Sequence, residues 1–382
     1  MKSILFIMRY PLHQKHHLKQ KFDGQMQACV NLGYQVYHLA YDNKQEYFVD
    51  YNTGKKEVVG RVHFGNFKKY RNSFGFLDLF SALKKVSGQY RFDYAYMRAK
   101  TVNWTAVNAV DAMRKNGCKL IVEIPSFQNK EKVLSSTRRI IMSVSGKWDH
   151  QLREMTDLYT AIGPDCGGEI NGRPAINIDN GICVDTIPLR EHTQQGRIHL
   201  LALASMRSWH AYDRLLKGMA EYAGSENIVI DMVGGDNDGS LSEWKELADR
   251  LNIGKNVIFH GPKFGDDLTE MFRIADAGIA TLGLHRTGIT VGSVLKTREY
   301  MARGLPFVYG YKDLSIPDGY PYALQIPADE EPVDMNSVIE WITDIRSESR
   351  ERVSEEMRNY AQEHMSWEAI FRIILAKADA ID

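Results

Sequence analysis

Cysteine is scarce in this chain, and its spacing excludes the usual cysteine-dependent sites. Among 382 residues there are four cysteines, namely Cys29, Cys118, Cys166 and Cys183. No two of them form a Cys-x-x-Cys pair, and their spacing fits no zinc site. We therefore expect four reduced thiols and neither a disulfide framework nor a cysteine-bound metal.

Long apolar runs are missing as well. A membrane-spanning helix needs about 20 consecutive apolar residues, and no segment approaches that length. The apolar stretch at residues 4–8 is too short for a signal-peptide core and lacks a cleavage site after it, so it predicts a buried first strand. We therefore expect a cytoplasmic protein, with peripheral contact at the inner face of the plasma membrane as an additional hypothesis.

Net charge is absent, yet the charges are distributed unevenly. The chain has 48 Lys and Arg against 48 Asp and Glu. Residues 1–190 contain 28 basic and 17 acidic side chains, a net +11, whereas residues 191–382 contain 20 and 31, a net −11. Such an asymmetry predicts two domains that meet different partners. Mutual attraction between the two halves is the alternative.

Two stretches of the basic half, residues 64–76 and 130–147, place cations among apolar side chains. Basic residues near an anionic leaflet contribute about 1 kcal/mol each to the binding free energy, and apolar side chains strengthen binding by inserting into the leaflet. The stretches therefore predict contact with an anionic membrane or a phosphorylated lipid. Core aromatics beside solvated cations are the alternative, and a nucleic-acid partner is not expected.

Composition and periodicity predict two α/β domains. The chain is 44% hydrophobic and 25% charged, which is an ordinary core-forming mixture. Strand-like and helix-like segments alternate through both halves, and this pattern is typical of doubly wound parallel sheets. A hairpin is predicted around residues 52–54, and the polar stretch 188–196 is the predicted linker.

The strongest chemical signal lies in residues 283–306. Gly292 and Ser293 stand where a helix is predicted to begin, with Ser293 as its N-cap. The free N–H groups and positive dipole at such a helix end attract phosphate, and Lys296 adds a formal charge in the first turn. Glu299, one turn deeper, could accept both hydroxyls of a ribose. A plain surface helix with a Glu299–Arg303 ion pair is the alternative.

Further polar residues follow predicted strand ends in the second half. The candidates for contact with a ligand are Arg207, His210, His285 and Arg286. Solvated loop residues are the alternative interpretation of all four. Asp236 and Asp238 form an Asp-x-Asp pair, a pattern that can hold a metal, but their glycine-flanked turn predicts a solvated loop.

Six segments, in the right order, resemble motifs of retaining GT-B glycosyltransferases of glycosyltransferase family four, in particular bacterial polysaccharide-type members. They are EIP at 123–125, NGICVD at 180–185, SMRSWHAYDRL at 205–215, HGP at 260–262, SVLKTREYMARGLP at 293–306 and SW at 366–367. Two features depart from the family. The first glutamate of its Glu-x7-Glu pair falls on Val291, and the amino half lacks the Gly-Gly loop after the first strand.

The resemblance implies a GT-B fold, with two Rossmann-like domains facing across a cleft. Residues 1–188 would bind the acceptor, and residues 197–364 would bind the nucleotide sugar. The terminal helix in residues 365–382 would cross back to the amino domain.

The resemblance also implies a function, which is hexosyl transfer in polysaccharide biosynthesis. A sugar would pass with retention from a nucleoside-diphosphate sugar, UDP-linked, to a hydroxyl of a carbohydrate or lipid-linked acceptor. Lys296 and Arg207 would be catalytic by stabilising the leaving diphosphate, and these fixed cations would replace a metal. The substrate-binding residues would be Glu299, Ser293, His210, His285, Arg286, Gly292 and His260, with His260 beside the base. A GT-B nucleotide-sugar epimerase and a non-catalytic nucleotide- or sugar-binding protein are the alternatives.

Overall fold

The computed structural model divides the chain into two compact units. The first unit contains residues 1–181 and 367–382, and the second contains residues 182–366. The structure describes residues 1–12, 17–63, 71–98, 102–125, 136–191, 193 and 196–381. Residues 64–70 and 130–135 of the two basic stretches lie outside these ranges, and no side chain is described for residues 71–74 or 136–145. Membrane contact through those stretches stays a prediction.

The first unit is built on a mixed sheet whose centre is parallel. Its described strands are β1 (Ser3–Pro11), β2 (Gln35–Tyr41), β3 (Gln45–Asp50), β4 (Lys56–Arg61), β5 (Tyr94–Met97), β6 (Lys119–Ile124), β7 (Leu158–Ala161), β8 (Glu169–Ile170) and β9 (Arg173–Asn177). They lie in the order β4-β3-β2-β1-β5-β6-β7-β9-β8. The predicted hairpin is confirmed, because β3 and β4 pair antiparallel around residues 51–55. The apolar start of the chain forms the central strand β1, which is buried because helices cover both faces of a parallel sheet.

Five described helices belong to the first unit, and one of them comes from the end of the chain. They are α1 (His17–Asn31), α2 (Arg71–Gln89), α3 (Trp104–Arg114), α4 (Ser136–Met155) and α11 (Trp367–Asp379). Helix α11 packs on α1, where the Asn31 amide donates to Glu368 at 2.7 Å. The Phe371 ring lies 5.8 Å from Phe6 and 5.2 Å from Tyr96. The predicted return of the terminal helix to the amino unit is confirmed.

The second unit contains a sheet whose described strands are all parallel. The strands are β10 (Ile198–Leu203), β11 (Ile228–Val233), β12 (Val257–Gly261), β13 (Ala277–Ile279), β14 (Phe307–Tyr309) and β15 (Ala323–Gln325). They lie in the order β12-β11-β10-β13-β14-β15. The helices are α5 (Tyr212–Glu221), α6 (Ser240–Arg250), α7 (Gly265–Ile274), α8 (Leu295–Arg303), α9 (Met335–Arg346) and α10 (Arg350–Tyr360). The predicted α/β class with two doubly wound sheets is confirmed.

The segment that precedes β10 is fastened to the second unit. Arg358 donates to the carbonyl oxygens of Val184 at 2.9 Å and Ile187 at 2.7 Å. The Arg190 guanidinium donates to the Gly304 carbonyl at 2.7 Å. These contacts hold the chain against α8 and α10 before the next strand begins.

Carboxyl ends of parallel strands share one edge of a sheet, and here the loops after β10 and β11 approach closely. Gly234 has φ +140°, and a Cβ at this position would lie 1.6 Å from the Ala204 carbonyl oxygen. Only glycine therefore permits this approach.

No helix among the residues that the structure describes is long and apolar enough to cross a bilayer.

Candidate functional site

The helix α8 begins later than its sequence predicts. Its first residue is Leu295, with Val294 in the N-cap position and no side-chain cap, so the prediction that Ser293 is the N-cap is wrong. The Gly292 N–H donates to the Lys312 carbonyl at 3.0 Å, as part of a single parallel bridge between Val291 and Lys312 before the helix. Because this pairing keeps the chain extended, the helix starts only after it.

Lys296, in the first turn of α8, is held by a buried tyrosine. Its ammonium donates to the Tyr212 hydroxyl at 2.9 Å and lies 5.4 Å from the ring centroid. Tyr212 is fully buried, and its hydroxyl donates to the Ile279 carbonyl at 3.1 Å. Burial lowers the pKa of Lys296 to about 7, although the charge of Glu299 opposes the shift. An anion bound at this ammonium would favour its charged form.

His210 packs on the same tyrosine and supplies a neutral donor. The ring stacks on Tyr212 at 5.6 Å, and Nδ1 accepts from the Arg207 backbone N–H at 3.2 Å. Burial, and then the positive charge of Lys296, lower the pKa of His210 to about 3. A neutral imidazole that accepts at Nδ1 has its proton on Nε2. The Arg207 guanidinium lies nearby in the same turn, 5.0 Å from the Trp209 ring.

Glu299 forms the ion pair that was the alternative interpretation of this helix. Arg303 Nε donates to Glu299 Oε1 at 3.0 Å, and the Arg303 guanidinium lies 4.1 Å from the Phe272 ring. The Glu299 side chain remains 29% exposed. The pair uses one carboxylate oxygen and orients the group, so it is compatible with binding of ribose hydroxyls.

Arg286 and His285 are held by carboxylates. The Arg286 guanidinium donates to both oxygens of Asp213 at 2.8 and 2.9 Å, and also to Glu330 and to the Ser208 carbonyl. His285 Nε2 lies 2.7 Å from Glu330. Hydrogen bonds from Arg286 and His285 lower the pKa of Glu330 to about 2. Arg286 thus fastens the loop after β13 to α5, with its charge already balanced.

The His260 ring contacts the buried carboxylate of Asp231 in β11. Its Nε2 lies 2.7 Å from Asp231, and the other Asp231 oxygen lies 2.7 Å from His199 Nδ1. Asp231 is 3% exposed. The His260 ring therefore has a structural partner in the fold, and its contact with a nucleotide base stays a prediction.

The Asp-x-Asp pair accepts hydrogen bonds at the start of α6. Asp236 accepts from the Gly239 N–H at 2.9 Å, and Asp238 accepts from the Ser240 hydroxyl at 2.6 Å. Asp238 also accepts from the Ser208 N–H at 3.0 Å. These carboxylates stabilise the turn into the helix. Among the described residues, no group of three or more His, Cys, Asp or Glu side chains is arranged to hold a metal ion.

The structure brings the side chains of Lys296, Tyr212 and His210 into one polar group, and the backbone N–H of Arg207 is bonded to His210. The loops after β10 and β13 meet there, and a Cβ on Gly283 would lie 2.4 Å from that of Ala211. Sequence reasoning missed the role of Tyr212 and the two carboxylates that hold Arg286. The one available signal was the position of Tyr212 and Asp213 within the segment 205–215.

No protein-family model matches this chain, and no curated protein matches it. Solved structures do. A glycosyltransferase from Rickettsia africae ESF-5 is 13% identical with a TM-score of 0.63, over 100% of this chain and 98% of that chain. A sucrose-phosphate synthase from Thermosynechococcus elongatus is 14% identical with a TM-score of 0.62, over 99% and 100%. Anabaena HepE in complex with UDP is 12% identical with a TM-score of 0.61, over 100% of both chains. The fold of this chain is therefore the GT-B fold.

Proposed function

We propose that this chain is a retaining glycosyltransferase of family four that uses a nucleoside-diphosphate sugar as its donor. The observation that carries the proposal is the group of Lys296, Tyr212 and His210 at the carboxyl edge of the second sheet, with the Arg207 backbone bonded to His210. Ligands of doubly wound sheets bind at this edge. Support also comes from HepE, which shares the fold and is known in complexes with UDP and with UDP-glucose.

In this proposal, the second unit binds the donor. Lys296 and Arg207 contact the diphosphate, and the His210 Nε2–H donates to it. Ser293 lies beside the diphosphate just before α8, whereas the Gly292 N–H is already bonded to the Lys312 carbonyl. Glu299 accepts the ribose hydroxyls, and His260 lies beside the base. His285 and Arg286 shape the loop next to the sugar.

The reaction needs charge stabilisation more than a side-chain nucleophile. The bond between the anomeric carbon and the diphosphate oxygen breaks, and the acceptor oxygen bonds to the anomeric carbon on the same face. The acceptor proton passes to the leaving phosphate. Preorganised cations such as Lys296 and Arg207 stabilise the charge that develops on that phosphate. The acceptor, a carbohydrate or lipid-linked hydroxyl, is assigned to the first unit.

The proposal is tested by incubating the full chain with UDP-sugars, with and without a lipid and carbohydrate extract. We expect UDP release that depends on the extract, and a product whose anomeric configuration by NMR equals that of the donor. An isomerised donor without transfer would indicate the epimerase, and binding without turnover would indicate a binding protein. A product with inverted anomeric configuration would contradict the proposed retention but not the proposed transfer of sugar.

Donor affinity should depend on pH through Lys296. Because burial lowers the pKa of Lys296 to about 7, the ammonium loses its proton as pH rises through neutrality. The affinity for UDP-glucose, whose diphosphate does not titrate in this range, should fall about tenfold from about pH 6 to about pH 8. Isothermal titration calorimetry at several pH values measures the effect. His210 stays neutral throughout, since its pKa is about 3.

Tyr212→Phe isolates the hydroxyl that holds this lysine. The hydroxyl accepts from the Lys296 ammonium, which favours the charged form, so its removal should move the midpoint of the affinity profile to lower pH. The ring and its packing on His210 remain. Tyr222→Phe, at the other end of α5, is the matched control and should leave the midpoint in place. An unchanged midpoint in Tyr212→Phe would contradict the assigned contact.

Activity should persist in EDTA. Lys296 and Arg207 are fixed cations for the proposed diphosphate, and the carboxylates of Asp236 and Asp238 accept hydrogen bonds at the start of α6. Transfer rates measured with and without the chelator should agree. A complete loss that magnesium or manganese restores would show that the two aspartates, or other groups, recruit a metal.

A further inference from the structure

The first unit contains a buried polar cluster that the proposed donor site does not use. Its centre is Glu123 in β6, which is 2% exposed. Lys21 of α1 donates to Glu123 Oε1 at 2.9 Å, and Arg98 Nη1 lies 3.2 Å from the same oxygen. The other oxygen accepts from the Gln25 amide at 3.0 Å and from the Tyr96 hydroxyl at 2.8 Å.

Among the residues that the structure describes, the charges of this cluster do not balance. Burial alone would raise the pKa of Glu123, but the charges of Lys21 and Arg98 outweigh it and lower that pKa to about 2. The carboxylate is therefore ionised and faces two cations. Burial, and to a smaller extent the charge of Arg98, lower the pKa of Lys21. Since an uncompensated buried charge is costly, a second anion at this place would be stabilised.

Unused hydrogen-bonding capacity lies beside the excess charge. Arg98 Nη1 makes no hydrogen bond with any described residue, although it is within ion-pair distance of Glu123. The Arg98 side chain is 20% exposed and lies 5.4 Å from the Phe22 ring. Nη1 itself is buried, so the fold orients the guanidinium, and a ligand would reach Arg98 at the exposed part of its side chain.

Topology points to the same place. The strand β1 lies between β2 and β5. The strands β2 to β4, which follow β1 in the chain, lie on one side of it, and β5 and all later strands of this sheet lie on the other side. Arg98 directly follows β5, and Lys21 lies on the helix that follows β1. A doubly wound sheet opens a crevice at such a switch point, and ligands bind there.

We propose that this cluster, here named the Arg98 site, binds a phosphate group, with Arg98 as its principal contact and Lys21 as the supporting charge. The phosphate is either free or carried by the acceptor substrate. The Arg98 site extends the proposed function, which assigned no residues of the first unit, and it is independent of the residues on α8.

Binding of the probes inorganic phosphate and decyl phosphate to the full chain tests the Arg98 site by calorimetry, with decanol as the uncharged control. We expect Arg98→Gln to weaken phosphate binding at least about tenfold, the loss of a charged hydrogen bond, and Arg98→Lys to weaken it less. Glu123→Gln should strengthen binding, because it removes the competing anion. Lys115→Gln, a side chain 74% exposed on the same unit, should change nothing.

The two probes separate the phosphate sources, and two variants separate the sites. Equal affinities for both probes indicate free phosphate, whereas a preference for decyl phosphate indicates the acceptor's own group. Lys296→Ala should reduce UDP affinity and leave the Arg98-dependent binding intact, and Arg98→Gln should do the reverse. The Arg98 site is overturned if wild type binds neither probe at millimolar concentration. It is also overturned if folded Arg98→Gln binds both as well as wild type does.

Discussion

Replacing Lys296 by alanine should slow sugar transfer about tenfold to a hundredfold without unfolding the protein. The ammonium lies in the first turn of α8 with one described side-chain partner, the Tyr212 hydroxyl at 2.9 Å. In the proposed reaction it donates to the leaving diphosphate, and losing a charged hydrogen bond of this kind costs about 1.5–3 kcal/mol. The measurement is the initial rate at saturating donor, with circular dichroism to confirm folding.

The accompanying variants separate charge from position. Lys296→Arg keeps the charge but not the compact ammonium that fits against Tyr212, so an intermediate rate is expected. Glu299→Ala should raise KM for the donor more than it lowers kcat, because its proposed contact is with the ribose rather than with the leaving group. Lys245→Ala, an exposed lysine over the Phe259 ring, is the matched control. A near-normal rate in Lys296→Ala together with an unchanged donor KM in Glu299→Ala would remove α8 from the site.

Spacing along the chain is sufficient to predict which site residues lie together when they belong to one helix. Lys296 and Glu299 are three residues apart, and the structure places both on α8, as their period predicts. The start of that helix was misplaced because it depends on the pairing with Lys312. Local signals for a helix start cannot include a hydrogen-bonding partner that is supplied by a later loop.

Contacts between distant segments could not be predicted in the same way. Tyr212 and Lys296 are 84 positions apart, and Arg286 reaches Asp213 across 73. A lone arginine in a polar loop predicts a free cation, yet the fold supplies two carboxylates that balance it. The order of the six family-like segments predicted the fold, because that order can be seen in the sequence, whereas a contact between two distant side chains cannot.

The excess positive charge of the basic half can be counted from the sequence, but the places of its cations in the fold cannot. Composition favoured an exposed basic surface, whereas two of the cations, Lys21 and Arg98, converge on the buried Glu123. That convergence depends on strand order, because β1, β5 and β6 are neighbours in the sheet and distant in the chain. A count of charges carries no information on which of them are buried together.

Arg298→Met should destabilise the protein by about 3–5 kcal/mol, the usual effect of removing one partner of a buried ion pair. Arg298 and Asp313 are both 0% exposed, and Arg298 Nη2 lies 2.9 Å from Asp313 Oδ1. The same nitrogen donates to Ser315 at 3.0 Å. The substitution leaves the Asp313 charge buried without its cation, and it also releases α8 from the loop after β14. Urea unfolding followed by circular dichroism measures the change.

The double variant Arg298→Met with Asp313→Leu tests the physical cause. If the loss arises from an uncompensated buried charge, removing that charge should recover more than half of it, because apolar residues replace buried ion pairs at small net cost. Arg352→Met provides the surface control, since that arginine is 63% exposed in its pairs with Glu348 and Glu356, and it should change stability by less than about 1 kcal/mol. A double variant less stable than the single would show that specific hydrogen bonding, rather than charge, fastens α8.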